Sequence, residues 1–112
     1  MTLIAIRVLK LQRDKIETDI PVRIFAPEQE ESAFSCRYEI DWPEGRQIMK
    51  AWGFDAVQAL IIALQMIGAD IYSSAYHNAG QLIFGAPGSG YGFPVVSTLK
   101  DLLVGDDVTA FG

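Results

Sequence analysis

The sequence predicts an α+β fold: a four-stranded antiparallel meander packed by one long central helix as a two-layer sandwich, followed by a less regular C-terminal segment. Three observations carry this expectation. Apolar residues alternate with period two through most of Leu3 to Trp52, turn signals interrupt the alternation, and the charge-poor run from Gly53 to Ser74 switches to helical spacing.

The first two strands are expected at Leu3 to Gln12 and Ile16 to Phe25, joined by a loop at Arg13, Asp14 and Lys15. Pairing them through that loop sets Ile4, Ile6 and Val8 opposite Ile24, Val22 and Ile20 as a core face. Arg7, Leu9, Glu17, Asp19 and Arg23 then form a mixed, solvated face. Pro21 lacks an N–H for the ladder, which suits an edge strand or a ring turned outward. Pro27 to Ser32 reads as a polar loop whose Glu28, Glu30 and Glu31 form a solvated tip. In the next strand, Ala33 to Asp41, Phe34, Cys36, Tyr38 and Ile40 face the core while Ser35, Arg37, Glu39 and Asp41 face water. Trp42-Pro43-Glu44-Gly45 has proline and glycine where a type I turn takes them, so Arg46 to Trp52 returns antiparallel.

Gly53 then breaks the strand, and Asp55 is placed to cap a helix, its carboxylate accepting an amide of the first turn. At about 100° per residue, Val57, Leu60, Ile61, Leu64, Ile67 and Ile71 share the expected core face. Ile62 and Met66 fall beside Ala59 on a side where a solvated helix would carry charge, so that side needs a cover from the C-terminal segment or from a second chain. Gly68 permits a close backbone approach. A bilayer span is not expected, because the uncharged stretch between Asp55 and Asp70 is shorter than the ~20 residues required and includes Gln58 and Gln65. Beyond Ser74 the expectations are a short strand at Gln81 to Phe84, a glycine-rich loop at Gly85 to Pro94, a short helix capped by Ser97 through Leu103, and a solvated tail at Asp106 and Asp107.

The chain, residues 1–112, is read as one domain able to bury a core without metal, disulfide or cofactor. Nine Lys and Arg against fourteen Asp and Glu give a net charge of −5, which argues against a nucleic-acid surface. The single cysteine, Cys36, cannot close an internal disulfide and falls on an apolar face, as a buried and inert thiol in a reducing compartment. Arg7 and Lys10 interrupt the apolar N-terminal run, so no signal peptide is expected and the location is cytoplasmic.

No motif dictates chemistry. Gly85-Ala86-Pro87-Gly88-Ser89-Gly90 begins like a phosphate-binding loop, but Tyr91-Gly92 stands where the obligatory Lys-Ser/Thr would follow. The only histidine, His77, with one cysteine cannot make a zinc site, and no nucleophile elbow supports a Ser/His/Asp or Cys36/His77 arrangement. Glu39 and Asp41, on one strand face within reach of Arg37, read as a charge-paired surface.

Cys36-Arg37-Tyr38-Glu39-Ile40, Trp52-Gly53-Phe54-Asp55-Ala56-Val57-Gln58-Ala59-Leu60 and Ile67-Gly68-Ala69-Asp70-Ile71-Tyr72, with Gly92-Phe93-Pro94 near the end, resemble in order and spacing a family of small bacterial proteins known only as a domain of unknown function. The resemblance covers most of Ile4 to Pro94, with Gly85 to Gly90 matching least well. It implies a strand-rich N-terminal half, a central helix and bacterial origin, and it transfers no activity.

The function expected is therefore a non-enzymatic protein-interaction module, self-associating or inhibitor- or immunity-like toward a basic partner, with Gln58, Ile62 and Met66 at the interface. For Gln58 the first reading is a buried side chain hydrogen-bonded to the sheet or the returning tail, and the second is one that faces a partner. The alternative is a small-ligand-binding domain whose pocket, between the sheet and the Gly85 to Pro94 loop, is lined by Arg37, Trp52, Tyr91 and Phe93. An enzyme would need His77 or Cys36 in a concave site with a polarised partner.

Overall fold

The computed structural model describes residues 1–112, the side chain of Thr98 excepted. An antiparallel sheet of six strands is built from β1 (Leu3–Arg13), β2 (Ile16–Phe25), β3 (Glu28–Glu30), β4 (Ala33–Trp42), β5 (Gly45–Gly53) and β6 (Leu82–Ile83). Helices α1 (Ala56–Tyr72), α2 (Ala75–Asn78) and α3 (Asp106–Phe111) and a 3₁₀ turn at Ser97–Leu102 complete the chain. The strand order is β3-β4-β2-β1-β6, with β5 paired to β4. The fold is thus α+β as expected, but with six strands instead of four. The expected meander is present as β1, β2, β4 and β5.

Two compact units make up the chain: Met1–Val8 with Ile20–Leu64, and Leu9–Asp19 with Gln65–Gly112. In the first, β5 pairs with β4 along its whole length, from Phe34 opposite Gly53 to Trp42 opposite Gly45. The other edge of β4 takes β2, with Ile24 opposite Tyr38, and then β3, with Glu28 opposite Ser35. Phe25, Ala26 and Pro27 therefore face only Cys36 and Arg37, which is a bulge with one extra residue, at the point where Pro27 has no N–H to give. The acidic segment expected as a loop continues the sheet as β3. Its Glu28 meets the N-terminal amine at 3.3 Å and its Glu30 meets Lys50 at 3.1 Å.

β4 is more buried than its alternation suggests. Cys36, Tyr38 and Ile40 are fully buried as expected, but Ser35 and Glu39 on the other face are buried too. The cover over Glu39 includes guanidinium groups: Arg37 donates to its carboxylate at 2.6 Å, and Arg46 approaches to 3.6 Å. Arg46 at 2.8 Å and Arg23 at 2.7 Å hold Asp41, and those two hydrogen bonds keep its carboxyl below the usual range. Arg23, Arg37 and Arg46 are thus neutralised by carboxylates of the same sheet face.

The core face of β1 differs from the expectation. Leu9 and Leu11 are buried, whereas Ile4 and Ile6 remain about half exposed. The cause is the turn. Asp14 and Lys15 both adopt positive φ, 51° and 64°, so the connection is a two-residue type I′ turn and not a three-residue loop. It aligns Gln12 with Glu17, whose side chains bond at 3.0 Å, and Lys10 with Asp19, whose side chains form an ion pair. A register shifted by one residue exchanges the two faces of the strand.

Helix α1 starts where expected, with Asp55 accepting the Gln58 amide at 2.8 Å. Its buried stripe is Ala59, Ala63, Ile67 and Ile71, while Val57 and Ile61, expected in the core, are exposed. Small residues decide this. A Cβ on Gly53 would lie 2.5 Å from the Ala59 nitrogen, so the end of β5 comes against the first turn of the helix backbone at a distance that only glycine allows. Ile62 and Met66 are partly buried.

At the other end of α1, a Cβ on Gly68 would stand 2.0 Å from the Pro94 carbonyl oxygen. Gly68→Ala should therefore cost about 2 kcal/mol through overpacking, in spite of the roughly 1 kcal/mol that alanine gains over glycine within a helix. Urea denaturation measures the sign, and a higher midpoint would show that this contact is not tight.

Candidate functional site

The second unit gathers the polar side chains that the expected elements leave unassigned. Ser74 caps α2, its hydroxyl oxygen accepting the His77 amide at 3.1 Å, and so fixes His77 in the third position of a single helical turn. The chain then turns so that Gln81 accepts the Gln12 amide at 2.8 Å and Leu82 and Ile83 pair with Leu11 and Lys10. This places β6 beside the following glycine-rich loop.

That loop is tethered at its C-terminal end. Asp107, only 2% exposed, accepts the Tyr91 amide at 2.9 Å, the Gly92 amide at 2.8 Å and the Tyr72 hydroxyl at 2.6 Å. Expected as part of a solvated tail, Asp107 is instead the most connected buried carboxylate of this unit. Nothing local marks it, because Tyr72 and Tyr91 lie 35 and 16 residues away in sequence. Gly90 makes room: at φ 91° its missing Cβ would fall 2.5 Å from the Asp107 carboxyl carbon.

Tyr72, His77 and Tyr91 form a mutually edge-on trio, with ring centroids 4.9, 5.3 and 5.4 Å apart. His77 Nδ1 and the Tyr91 hydroxyl are 2.5 Å apart, and that hydroxyl also donates to the Leu82 carbonyl at 3.3 Å. Nδ1 is thus taken up by the tyrosine, and Nε2 is the ring nitrogen left without a protein partner among the described residues. Burial pushes His77 below its ordinary pKa, and burial together with the Asp107 charge pushes Tyr91 up to about 12. The imidazole is therefore neutral and the phenol protonated at neutral pH. Both line a cavity of about 270 Å³ with Leu82, Phe84, Pro87 and Val104.

The first unit carries a different concavity, an apolar groove of about 380 Å³ between Ala33, Trp52, Phe54, Gln58 and Ile62. Phe54 is 88% exposed and Trp52 50%. Gln58 is exposed and its side-chain oxygen accepts the Phe54 amide at 2.6 Å, so it braces the groove instead of being buried against the sheet.

Of the residues expected around a ligand, Tyr91 lines the cavity, and Phe93 is buried without lining it. Trp52 lines the groove, and Arg37 is held by Glu39 and lies over the Phe25 ring. Of the expected interface, Gln58 and Ile62 share the groove, whereas Met66 belongs to the other unit. The Cys36 thiol donates to the Phe25 carbonyl at 3.3 Å, and burial raises its pKa, which leaves it a poor nucleophile. No helix among the described residues is long and apolar enough to cross a membrane.

Fold and concavities together define a small α+β domain with an open apolar groove and a histidine-lined cavity. The chain belongs to the family described as Domain of unknown function (DUF6968), whose model matches residues 5–95. No curated protein and no solved structure matches the chain.

Two outcomes follow from the buried cluster. Tyr72→Phe removes a donor to the Asp107 carboxylate and an acceptor for the Val104 amide at 3.2 Å, and should lower the unfolding free energy by about 1.5–3 kcal/mol in urea titrations. For His77 the unfolded chain takes up its proton first, near 6.5, because burial depresses the folded value. Stability present above that pH is lost as the pH falls from 6.5 toward the lower folded value. The depressed carboxyls of Glu30 and Asp41 act only below their ordinary values of 4.5 and 3.8. The melting temperature should thus drop between about pH 7.5 and 5.5, and His77→Phe should flatten that drop.

Proposed function

We propose that the protein is a non-enzymatic, cytoplasmic protein-interaction module of bacterial origin, which docks a basic protein partner through the groove of Trp52, Phe54, Gln58 and Ile62. The observation that carries this reading is the exposure of Phe54 and Trp52, which both line one apolar groove. Large aromatic side chains left in water cost solvation free energy and are the commonest anchors of interfaces. The hydrogen bond from the Phe54 amide to Gln58 holds the groove in shape before a partner arrives, which limits the ordering cost of binding.

Charge selects the partner. The exposed Glu31 and Asp55 lie beside the groove residues Ala33 and Phe54, no Lys or Arg lines the groove, and the chain carries a net charge of −5. Lys50, near the Trp52 ring, is neutralised by Glu30. An apolar side chain flanked by Lys or Arg fits this surface, and its on-rate should fall with added salt.

Phe54→Asp tests the proposal with little risk to the fold, since so exposed a residue should change stability by no more than about 0.5 kcal/mol. A photo-crosslinker at Val57 should capture a basic protein that Phe54→Asp loses, with affinity falling at least about thirtyfold. Capture that Phe54→Asp leaves unchanged rejects the groove. Sedimentation showing a dimer that Phe54→Asp splits would make a second copy the occupant and reject a basic partner.

A further inference from the structure

The cavity beside His77 offers a narrow chemistry. Its walls at Leu82, Phe84, Pro87 and Val104 are apolar, and none of its lining residues is Lys, Arg, Asp or Glu. The nearby Asp107 carboxylate is already engaged by two amides and the Tyr72 hydroxyl. The Tyr91 hydroxyl is engaged by Leu82 and His77. Among the described residues, the one side-chain polar atom of the lining left without a protein partner is His77 Nε2, which a hydroxyl group can meet in either tautomer because a hydroxyl both donates and accepts.

Each wall excludes something. An anion would be desolvated without a cation to meet it, and a cation without a carboxylate to meet it. A purely apolar molecule would leave Nε2 buried and unpaired, which costs as much as a lost hydrogen bond. Size adds a limit: a cavity of 150 Å³ holds benzene in another protein, and drug-sized ligands occupy about 300–1,000 Å³. At about 270 Å³ this cavity suits one ring and a small substituent.

We infer that the His77 cavity is a binding site for a small uncharged cyclic molecule carrying one hydroxyl, bound by a hydrogen bond between that hydroxyl and His77 Nε2 while its ring lies against Phe84 and Pro87. The site is independent of the Phe54 groove. It needs no chemistry from the histidine: beside His77 the one titratable group of the lining is the Tyr91 phenol, which burial and the Asp107 charge keep protonated.

Phenol is the probe, with toluene as its counterpart lacking the donor and benzoate as its anionic one, each titrated at pH 7.5 and followed by ¹⁵N imidazole resonances and thermal shift. Phenol should bind at least about tenfold more tightly than toluene, moving the His77 Nε2 resonance, and benzoate should not bind. In His77→Phe the preference for phenol should vanish. Equal affinity for phenol and toluene, tighter binding of benzoate, or no binding by any of the three overturns the assignment. The comparison between probes is made on the unaltered protein, so it stands even where the variant does not fold.

Discussion

The Asp107 carboxylate is the constraint on which the C-terminal unit depends. A buried charge is tolerable only when its lone pairs are filled, and here two loop amides and a tyrosine hydroxyl fill them. Those three donors come from the end of α1 and from the glycine-rich loop. One side chain therefore ties the loop to the helix, and the Tyr72, His77 and Tyr91 rings pack edge-on to one another beside the tie. The Tyr91 and Gly92 amides of the loop that walls the cavity are held by this carboxylate.

A similar economy of cause appears in the first hairpin. Asp14 and Lys15 at positive φ shorten the turn by one residue relative to the loop expected from the sequence, and the register changes with it. Alternation alone could not reveal this, because Ile4, Ile6, Leu9 and Leu11 supply apolar side chains to both faces of β1. The turn geometry decides which pair is buried. On α1 the ambiguity is the same in kind: apolar residues surround much of the helix, and the buried stripe falls on Ala59, Ala63, Ile67 and Ile71, with Gly53 close against the Ala59 backbone.

What was legible in the sequence was local. The Asp55 cap, the Pro43 turn, the switch from strand to helix at Gly53 and the need for glycine at position 68 all rest on residues near one another in the chain, and all are present in the structure. The sites were legible only in fragments. His77 and Tyr91 each stood out, one as a lone titratable group and the other as an aromatic in a loop, but nothing in their spacing pairs them. Asp107 did not stand out, since an acidic pair near the end of an acidic chain resembles a solvated tail until its partners are known. Gln58 stood out as a polar residue on an apolar helix, and its use proves to be an N-terminal brace for Phe54.

Amide hydrogen exchange at Tyr91 and Gly92 tests the organising role of Asp107 most directly. Both lie outside any strand or helix, where amides ordinarily exchange freely. If the carboxylate holds them, both should be protected by at least about a hundredfold in the intact protein and lose that protection in Asp107→Ala while the amides of β4 keep theirs. Rapid exchange at Tyr91 and Gly92 in the intact protein, with β4 still protected, would contradict the account.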